Sequence, residues 1–369
     1  MKVKQRPEDF RVEEVSRLRP GAGGPFALYR LQKAGIGTLE ALVALCRAWN
    51  VPRRAVSFAG LKDRHAETAQ TVSVRGGPER NFEGRGFRLN YLGRSPRPAA
   101  RGTILRNRFR VVLRDLGAAQ ARLVTERARA AAERGVPDYY DDQRFGSVRG
   151  TDGAFVARAL LAGDPERALR LAIASPARRD RSRIKRRRRL LAQRWGEWQR
   201  LSTELDSCAE RRICGRLAGG ASFADAYSRL DPAIRSLHLA AWQAHLFNTT
   251  LRAAVGEGPS HPGIVGPYVF FEGERPDLRD ERFPLASAQA PPHAGLDGAL
   301  EAEGLDRGAL RALPFRSGAR AALFFPEELR TAAARPDELN SGRCKLRLEF
   351  ELRAGSYATM LIKRCTHDL

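Results

Sequence analysis

The sequence predicts an α+β protein in two parts. Three observations carry this expectation: strand-like alternation gathers toward both ends, helical spacing dominates the middle, and the composition shifts at a run of arginines that begins at Arg178. At 369 residues the chain is long enough for two domains, or for one domain with a large insertion, each with a core that needs no staples.

Lys4-Gln5-Arg6-Pro7-Glu8-Asp9-Phe10-Arg11-Val12-Glu13-Glu14 is a turn that enters a short strand, and residues 26–33 are expected as its hairpin partner across the glycine-rich bend at Gly21 to Gly24. Thr38 is placed to cap a helix whose apolar residues Leu39, Leu42, Val43, Cys46 and Trp49 recur at helical spacing, and Asn50 with Pro52 ends it. Residues 58–70 then form a charged turn behind Gly60 that feeds the alternating run Thr71-Val72-Ser73-Val74. Strands follow at 87–92 and 104–113, the second with its basic residues on one face. Helices are expected over 118–133 and 154–174. The stretch between them, from Gly135 to Gly146, is rich in aromatic and polar groups and reads as the seam between two domains.

Arg178, Arg179, Arg181, Arg183, Lys185, Arg186, Arg187, Arg188 and Arg189 form the densest basic run and lead into an amphipathic helix with Leu190, Leu191, Trp195, Trp198 and Leu201. Such a run is either a solvated helix start or an arm that contacts phosphates without reading sequence. Further helices are expected at 208–217, 222–229 and 231–255; in the last, His245 reads as a packing residue. Gly and Pro density then predicts short strands and long loops over 256–292. Strands are expected at 319–325 and 345–352, the latter with the clearest period-two alternation, followed by a helix start that Ser356 is placed to cap.

Lys plus Arg number 65 against 42 for Asp plus Glu, a net charge of +23 that points to a polyanionic partner. Five scattered cysteines fit reduced thiols in a cytoplasm better than a disulfide framework. No CxxC, HExxH or HxxxH pattern occurs, so no metal is expected. No apolar run approaches a membrane span, and no self-complementary heptad occurs, so the expectation is a soluble, cytoplasmic monomer with no membrane and no obligatory protein partner.

The residue to explain is Asp63, in Gly60-Leu61-Lys62-Asp63-Arg64-His65. A charged turn of this kind is either a solvated loop or a carboxylate nucleophile held ionised by Lys62, Arg64 or a more distant cation. Local sequence leaves both open. Phe109, among arginines, is likewise either a core aromatic or a base-stacking platform.

Taken together, Lys4 with Pro7-Glu8-Asp9-Phe10, Gly60-Leu61-Lys62-Asp63-Arg64-His65 with Thr68 and Gln70, Asn107 with Phe109, Gly135-Val136-Pro137 with Tyr139-Tyr140 and Gln143-Arg144-Phe145-Gly146, Leu246-Phe247-Asn248, and Gly355-Ser356-Tyr357-Ala358-Thr359 resemble the TruD family of tRNA pseudouridine synthases. The six motifs follow that family's order along nearly the whole chain. The resemblance implies a pseudouridine synthase catalytic domain with a curved, mostly antiparallel sheet at 1–149 and 317–369, and an inserted α/β TruD-specific domain at 150–316 with a basic helical segment at 177–230. RNA would lie in the cleft between them.

For the chemistry, the resemblance implies tRNA as substrate, uridine at position 13 as target, and Asp63 as nucleophile. Lys4 would be its pairing cation. Phe109 would stack on the uracil or fill its gap, and Asn107 would bond a base edge or hold the catalytic loop. Phe10, Gln70 and Tyr357 are further substrate-binding candidates. Lys62, Arg64, Arg186, Arg187, Arg188 and Arg189 are candidates for the RNA backbone. Isomerisation breaks the N1 glycosidic bond and joins C5 to the same C1′ without net redox change, so no cofactor is expected. Lys363-Arg364 stands where the family usually has Arg-Glu, which puts an ion pair from that glutamate in doubt. The rival readings are a non-catalytic RNA-binding protein or RNA chaperone, a synthase acting on another RNA, and a glycosylase-like enzyme that releases free base.

Overall fold

The alternating segments assemble into one open sheet in the first of two units into which the chain divides, Met1–Val136 with Phe324–Leu369. The computed structural model describes residues 1–148, 154–176, 180 and 182–369. Eleven strands are present among them in this sheet: β1 (Lys2–Val3), β2 (Phe10–Ser16), β3 (Phe26–Lys33), β4 (Val56–Phe58), β5 (Glu67–Arg75), β6 (Phe82–Gly84), β7 (Phe87–Ser95), β8 (Ile104–Leu116), β9 (Glu327–Thr331), β10 (Arg335–Pro336) and β11 (Cys344–Arg353). Their order is β9-β11-β8-β2-β5-β3-β7-β6, with β1 on β8, β10 on β11 and β4 on β5. Every pairing is antiparallel except β2 with β5.

The hairpin expected between residues 10–14 and 26–33 does not form, because β5 lies between β2 and β3. The bend reaches too far for a tight turn. Gly21 exchanges backbone hydrogen bonds with Arg94 of β7 at 2.8 and 2.7 Å, so the connection passes the end of β5. Gly24 has φ +120°, and a Cβ there would sit 2.4 Å from the Ser95 carbonyl, so only glycine fits.

Three helices complete the unit: α1 (Thr38–Ala48), α2 (Ala118–Arg134) and α3 (Ala358–Thr366). Leu42 and Leu45 of α1 pack on Tyr29 and Leu31 of β3 and Val72 and Val74 of β5, and each fully buried leucine contributes about 2–3 kcal/mol by area. Gly37 is the N-cap of α1, which frees the Thr38 hydroxyl for another use. Tyr357, not Ser356, is the N-cap of α3.

The second unit, Pro137–Leu323, is mostly helical. Residues 137–146 belong to it because their polar groups are used there: Arg320 pairs with Asp138 at 2.7 Å, and Asn248 exchanges two 2.8 Å hydrogen bonds with the backbone of Tyr140. The joins between units thus fall earlier than 149/150 and later than 316/317, and residues 149 and 150 themselves lie outside the described residues. The helix expected over 154–174 is two, Val156–Leu161 and Pro165–Ile173. Gly163 at φ +70° breaks it and Asp164 caps the second piece through the Arg167 amide at 2.9 Å. The basic helix Ser182–Gln193 likewise stops before Gly196 at φ +103°, and a new helix, Trp198–Glu204, follows. The strand expected at 319–325 is interrupted at Ala322, whose amide donates to Glu281 O at 2.9 Å. Among the described residues no helix is long and apolar enough to cross a membrane.

Candidate active site

Parallel pairing of β2 with β5 in the register Arg11↔Glu67 makes both strands begin at the same edge of the sheet. The segments leading into them carry Lys4 and Asp63, and there the two side chains meet: Lys4 Nζ donates to Asp63 Oδ2 in an ion pair. The same ammonium lies 4.1 Å from the centroid of the Phe10 ring.

Lys4 reaches this position with φ +58°, a left-handed backbone that costs a non-glycine residue about 1–2 kcal/mol. The following turn holds it there. Asp9 Oδ2 accepts from Arg6 N at 2.9 Å, and both Asp9 oxygens accept from Arg114 Nε at 2.9 Å. Arg114 also pairs with Asp337 at 2.8 Å and Glu338 at 3.1 Å. Asp9, Arg114 and Asp337 are buried, with Glu338 at the surface, and this hub explains why an acidic Pro-Glu-Asp turn precedes a strand in a basic protein.

The turn carrying Asp63 is anchored at four points. Gln70 Nε2 donates to Gly60 O at 3.0 Å. Lys62 N donates to Thr38 Oγ1 at 3.0 Å, and Thr38 Oγ1 donates to Gln70 Oε1 at 3.1 Å. Lys62 Nζ donates to Asn107 Oδ1 at 2.7 Å and lies 3.3 Å from Glu14 Oε2. Lys33 Nζ donates to the Asp63 carbonyl at 2.6 Å. Register places Glu14 opposite Asn107 and Val12 opposite Phe109, so these residues share one face of the sheet.

Burial would raise the Asp63 pKa, but the hydrogen bond from Lys4 and the His65 amide at 3.0 Å on Oδ1 outweigh it and hold the carboxyl below its usual range. The side chain stays 35% exposed. It is therefore an ionised, oriented and accessible carboxylate.

Other candidates fall in different places. Lys62, expected on the RNA backbone, turns inward with its side chain 11% exposed, because the buried Glu14 carboxylate needs a cation. Gln70, expected on substrate, is buried and spent on Thr38 and Gly60. Arg64 is at the surface, paired with Glu40 of α1. Phe109 is buried rather than displayed: it stacks on Phe350 at 5.2 Å and meets Phe10 edge-on at 6.2 Å. Tyr357 is half-buried at the start of α3. Arg364, where the family's usual glutamate was expected, is a buried arginine 3.3 Å from His367 Nε2.

The basic face expected on β8 is a ladder of ion pairs: Arg108 with Glu351 at 2.8 Å, Arg110 with Glu349 at 2.9 Å, and Arg106 with Glu351 at 3.1 Å. A cavity of about 700 Å³ opens on this face, lined by Arg11, Arg30, Arg88 and Arg110 among others, and Asp63 is not in its lining. Its guanidinium groups have carboxylate or amide partners, so volume alone does not mark it as the site of chemistry.

In the second unit, Arg187 pairs with Glu210 at 3.0 Å. Arg188 lies 3.4 Å from Asp180 and donates to Ser175 O at 2.8 Å. These two staple the basic helix, while Arg186 and Arg189 are exposed. Arg178, Arg179 and Arg181 lie outside the described residues.

Sequence reasoning missed Lys33, Glu14, Arg114 and Asp337. One signal was present for Glu14: it continues the inward alternation of Phe10 and Val12, where a carboxylate needs a cation.

The chain matches the family model described as tRNA pseudouridine synthase D (TruD) over residues 1–289. The "Probable tRNA pseudouridine synthase D 1" of Methanococcus maripaludis is 30% identical over 392 residues, covering 99% of this chain and 99% of that protein. The tRNA pseudouridine synthase D of Anaeromyxobacter sp. is 34% identical over 266 residues, 69% of this chain and 72% of that one. A crystal structure from Methanosarcina mazei named for tRNA pseudouridine synthase D (TruD) matches with a TM-score of 0.71 and 23% identity, over 98% of this chain and 92% of that chain. The sheet, the order of motifs and these likenesses converge, and the chain belongs to the tRNA pseudouridine synthase D family.

Proposed function

We propose that the protein isomerises uridine to pseudouridine in tRNA, at position 13 in the D arm, with Asp63 as the nucleophile. The observation that carries this reading is the Asp63 carboxylate itself, kept ionised by Lys4 and the His65 amide yet open to solvent. Whether it adds to C1′ or removes the 2′ proton, the reaction begins with a charged carboxylate. The electrons of the C1′–N1 bond pass to the uracil, the base turns, and C5 takes the place of N1 on C1′. The C5 proton is lost and N1 gains one, so the atoms balance without redox change.

Lys4 fixes one carboxylate oxygen and its charge opposes protonation. The turn's anchors remove most of the motion that would otherwise be frozen at the moment of reaction. Phe10, expected on substrate, is buried like Phe109 and Phe350, and the three rings form an apolar floor under the Lys4 ammonium instead of a displayed stacking surface. Asn107 acts through Lys62 on the loop. Arg186 and Arg189 are exposed members of the basic helix available to phosphates. On this reading the protein is a cytoplasmic monomer that needs tRNA alone.

The test is incubation with an unmodified tRNA transcript followed by carbodiimide mapping, with Asp63→Asn alongside. New pseudouridine at position 13 in the wild-type reaction only, with tRNA binding retained by the variant, is the expected result. Turnover by the variant, release of free uracil, or tight binding without modification would each overturn it.

A further inference from the structure

We propose that Lys33 is a positioning residue for the nucleophile, holding the main chain of Asp63 from beneath while Lys4 and His65 hold its side chain. The inference rests on the reading of Asp63 as nucleophile. Lys33 ends β3, is 4% exposed, and donates from Nζ to the Asp63 carbonyl at 2.6 Å.

Its surroundings argue against a merely structural role. The cross-strand neighbours of Lys33 are Thr68 on β5 and Phe87 on β7, neither of which is charged. Thr68 Oγ1 is buried without a hydrogen-bond partner among the described residues. A lysine buried against such neighbours lowers stability, and an apolar side chain of equal length would pack there at less cost. The charged groups that act on it all come from the catalytic turn: Asp63 favours its protonated form, while Arg64 and Lys62 oppose it. A costly buried cation that spends its hydrogen bond on the nucleophile's own carbonyl is placed for precision. Burial brings its pKa down to about 8, with Asp63 pulling the other way, so its charge is lost within the range of an ordinary pH–rate profile.

The experiment compares wild type with Lys33→Met, Lys33→Arg and Asp63→Asn in multiple-turnover assays on tRNA transcript. Lys33→Met should lower kcat roughly 10- to 100-fold, the range for losing a charge-assisted hydrogen bond to a catalytic group, with KM nearly unchanged. Its thermal midpoint should equal or exceed that of wild type. Lys33→Arg should recover part of the rate, and the alkaline fall in kcat expected near the Lys33 pKa of about 8 should move to higher pH.

A Lys33→Met enzyme with wild-type kcat, or one whose lost rate tracks a lowered thermal midpoint, overturns the inference while an inactive Asp63→Asn leaves the underlying reading intact. An active Asp63→Asn sinks that reading first. If Lys33→Met does not fold, Lys33→Arg decides: an alkaline limb unmoved from wild type overturns the inference.

Discussion

Gln70 Nε2 donates to the carbonyl of Gly60 at 3.0 Å, so a strand interior grips the turn three residues ahead of Asp63. Thr38 closes the same circuit by accepting from Lys62 N and donating to Gln70 Oε1. Gln70→Leu and Thr38→Val should each cost about 1–3 kcal/mol in urea denaturation, because each leaves a buried partner unsatisfied. The double variant should cost less than the sum, since one network is broken once. In both, kcat should fall with tRNA affinity preserved; full additivity would mean the two act separately.

On the proposed reading, Lys4 sets the acid side of the reaction. Without it, the Asp63 carboxyl loses a hydrogen bond and a charge that both favour its ionised form, and it protonates more readily. Lys4→Met should therefore shift the acid limb of kcat to higher pH. The sign for stability agrees. A carboxyl whose folded pKa is depressed contributes stability above its unfolded pKa and loses it as pH falls through the folded one, so the variant should show less acid-side loss. An acid limb unchanged from wild type would separate Lys4 from Asp63.

Lys33 gives the opposite slope on the alkaline side. Its folded pKa of about 8 lies below the ordinary 10.5, so the unfolded chain binds more protons between those values and wild-type stability should rise with pH through that window. Lys33→Met should lack this rise. Denaturant midpoints of the two proteins at either end of the window check it.

Much of the fold was legible because its signals are local. β11 alternates through Leu346, Leu348, Phe350 and Leu352, and that pattern survives in the structure; α1 forms where expected, but its buried face is Ala41, Leu42 and Leu45, while Leu39 and Val43 of the expected stripe are exposed. Strand order was not legible. That β5 lies between β2 and β3 depends on Gly21 reaching Arg94, a pairing no window of sequence contains. At the site, the Lys4–Asp63 pair came from a resemblance to a family, not from spacing. The direction of the turn's side chains could not be read at all: Lys62, Asp63 and Arg64 are consecutive, yet one points to a buried glutamate, one to Lys4 and one to a surface glutamate. Nothing local marks Lys33 as buried; only the fold brings a backbone carbonyl beside it.

The basic helix divides by exposure. Arg187→Ala and Arg188→Ala should destabilise the second unit, because they remove partners of Glu210 and Asp180 and of the Ser175 carbonyl. Arg186→Ala and Arg189→Ala should leave the fold unchanged, weaken tRNA binding and lower the salt slope by about one for each phosphate that is no longer neutralised. Binding titrations over a salt series distinguish the pairs, and equal slopes for all variants would mean that the helix is merely solvated.

Asp337 should matter far beyond its distance in sequence from Asp63. Asp337→Ala leaves the buried Arg114 guanidinium short of a partner and should cost about 3–5 kcal/mol, with loss of turnover as the Asp9 turn and Lys4 lose their support. Thermal melts and kcat measured together check this; a stable variant with full activity would detach the hub from the site.

That hub also sets a schedule for synthesis. Arg114 and Asp337 are 223 residues apart, with the second unit between them, so at ordinary elongation rates Asp337 leaves the ribosome on the order of 10 to 45 seconds after Arg114. Until then the Arg114 that braces the Asp9 turn lacks its Asp337 partner, although Asp63 was made long before. A half-made chain thus carries Asp63 without the full support beneath Lys4, and the complete site arrives late.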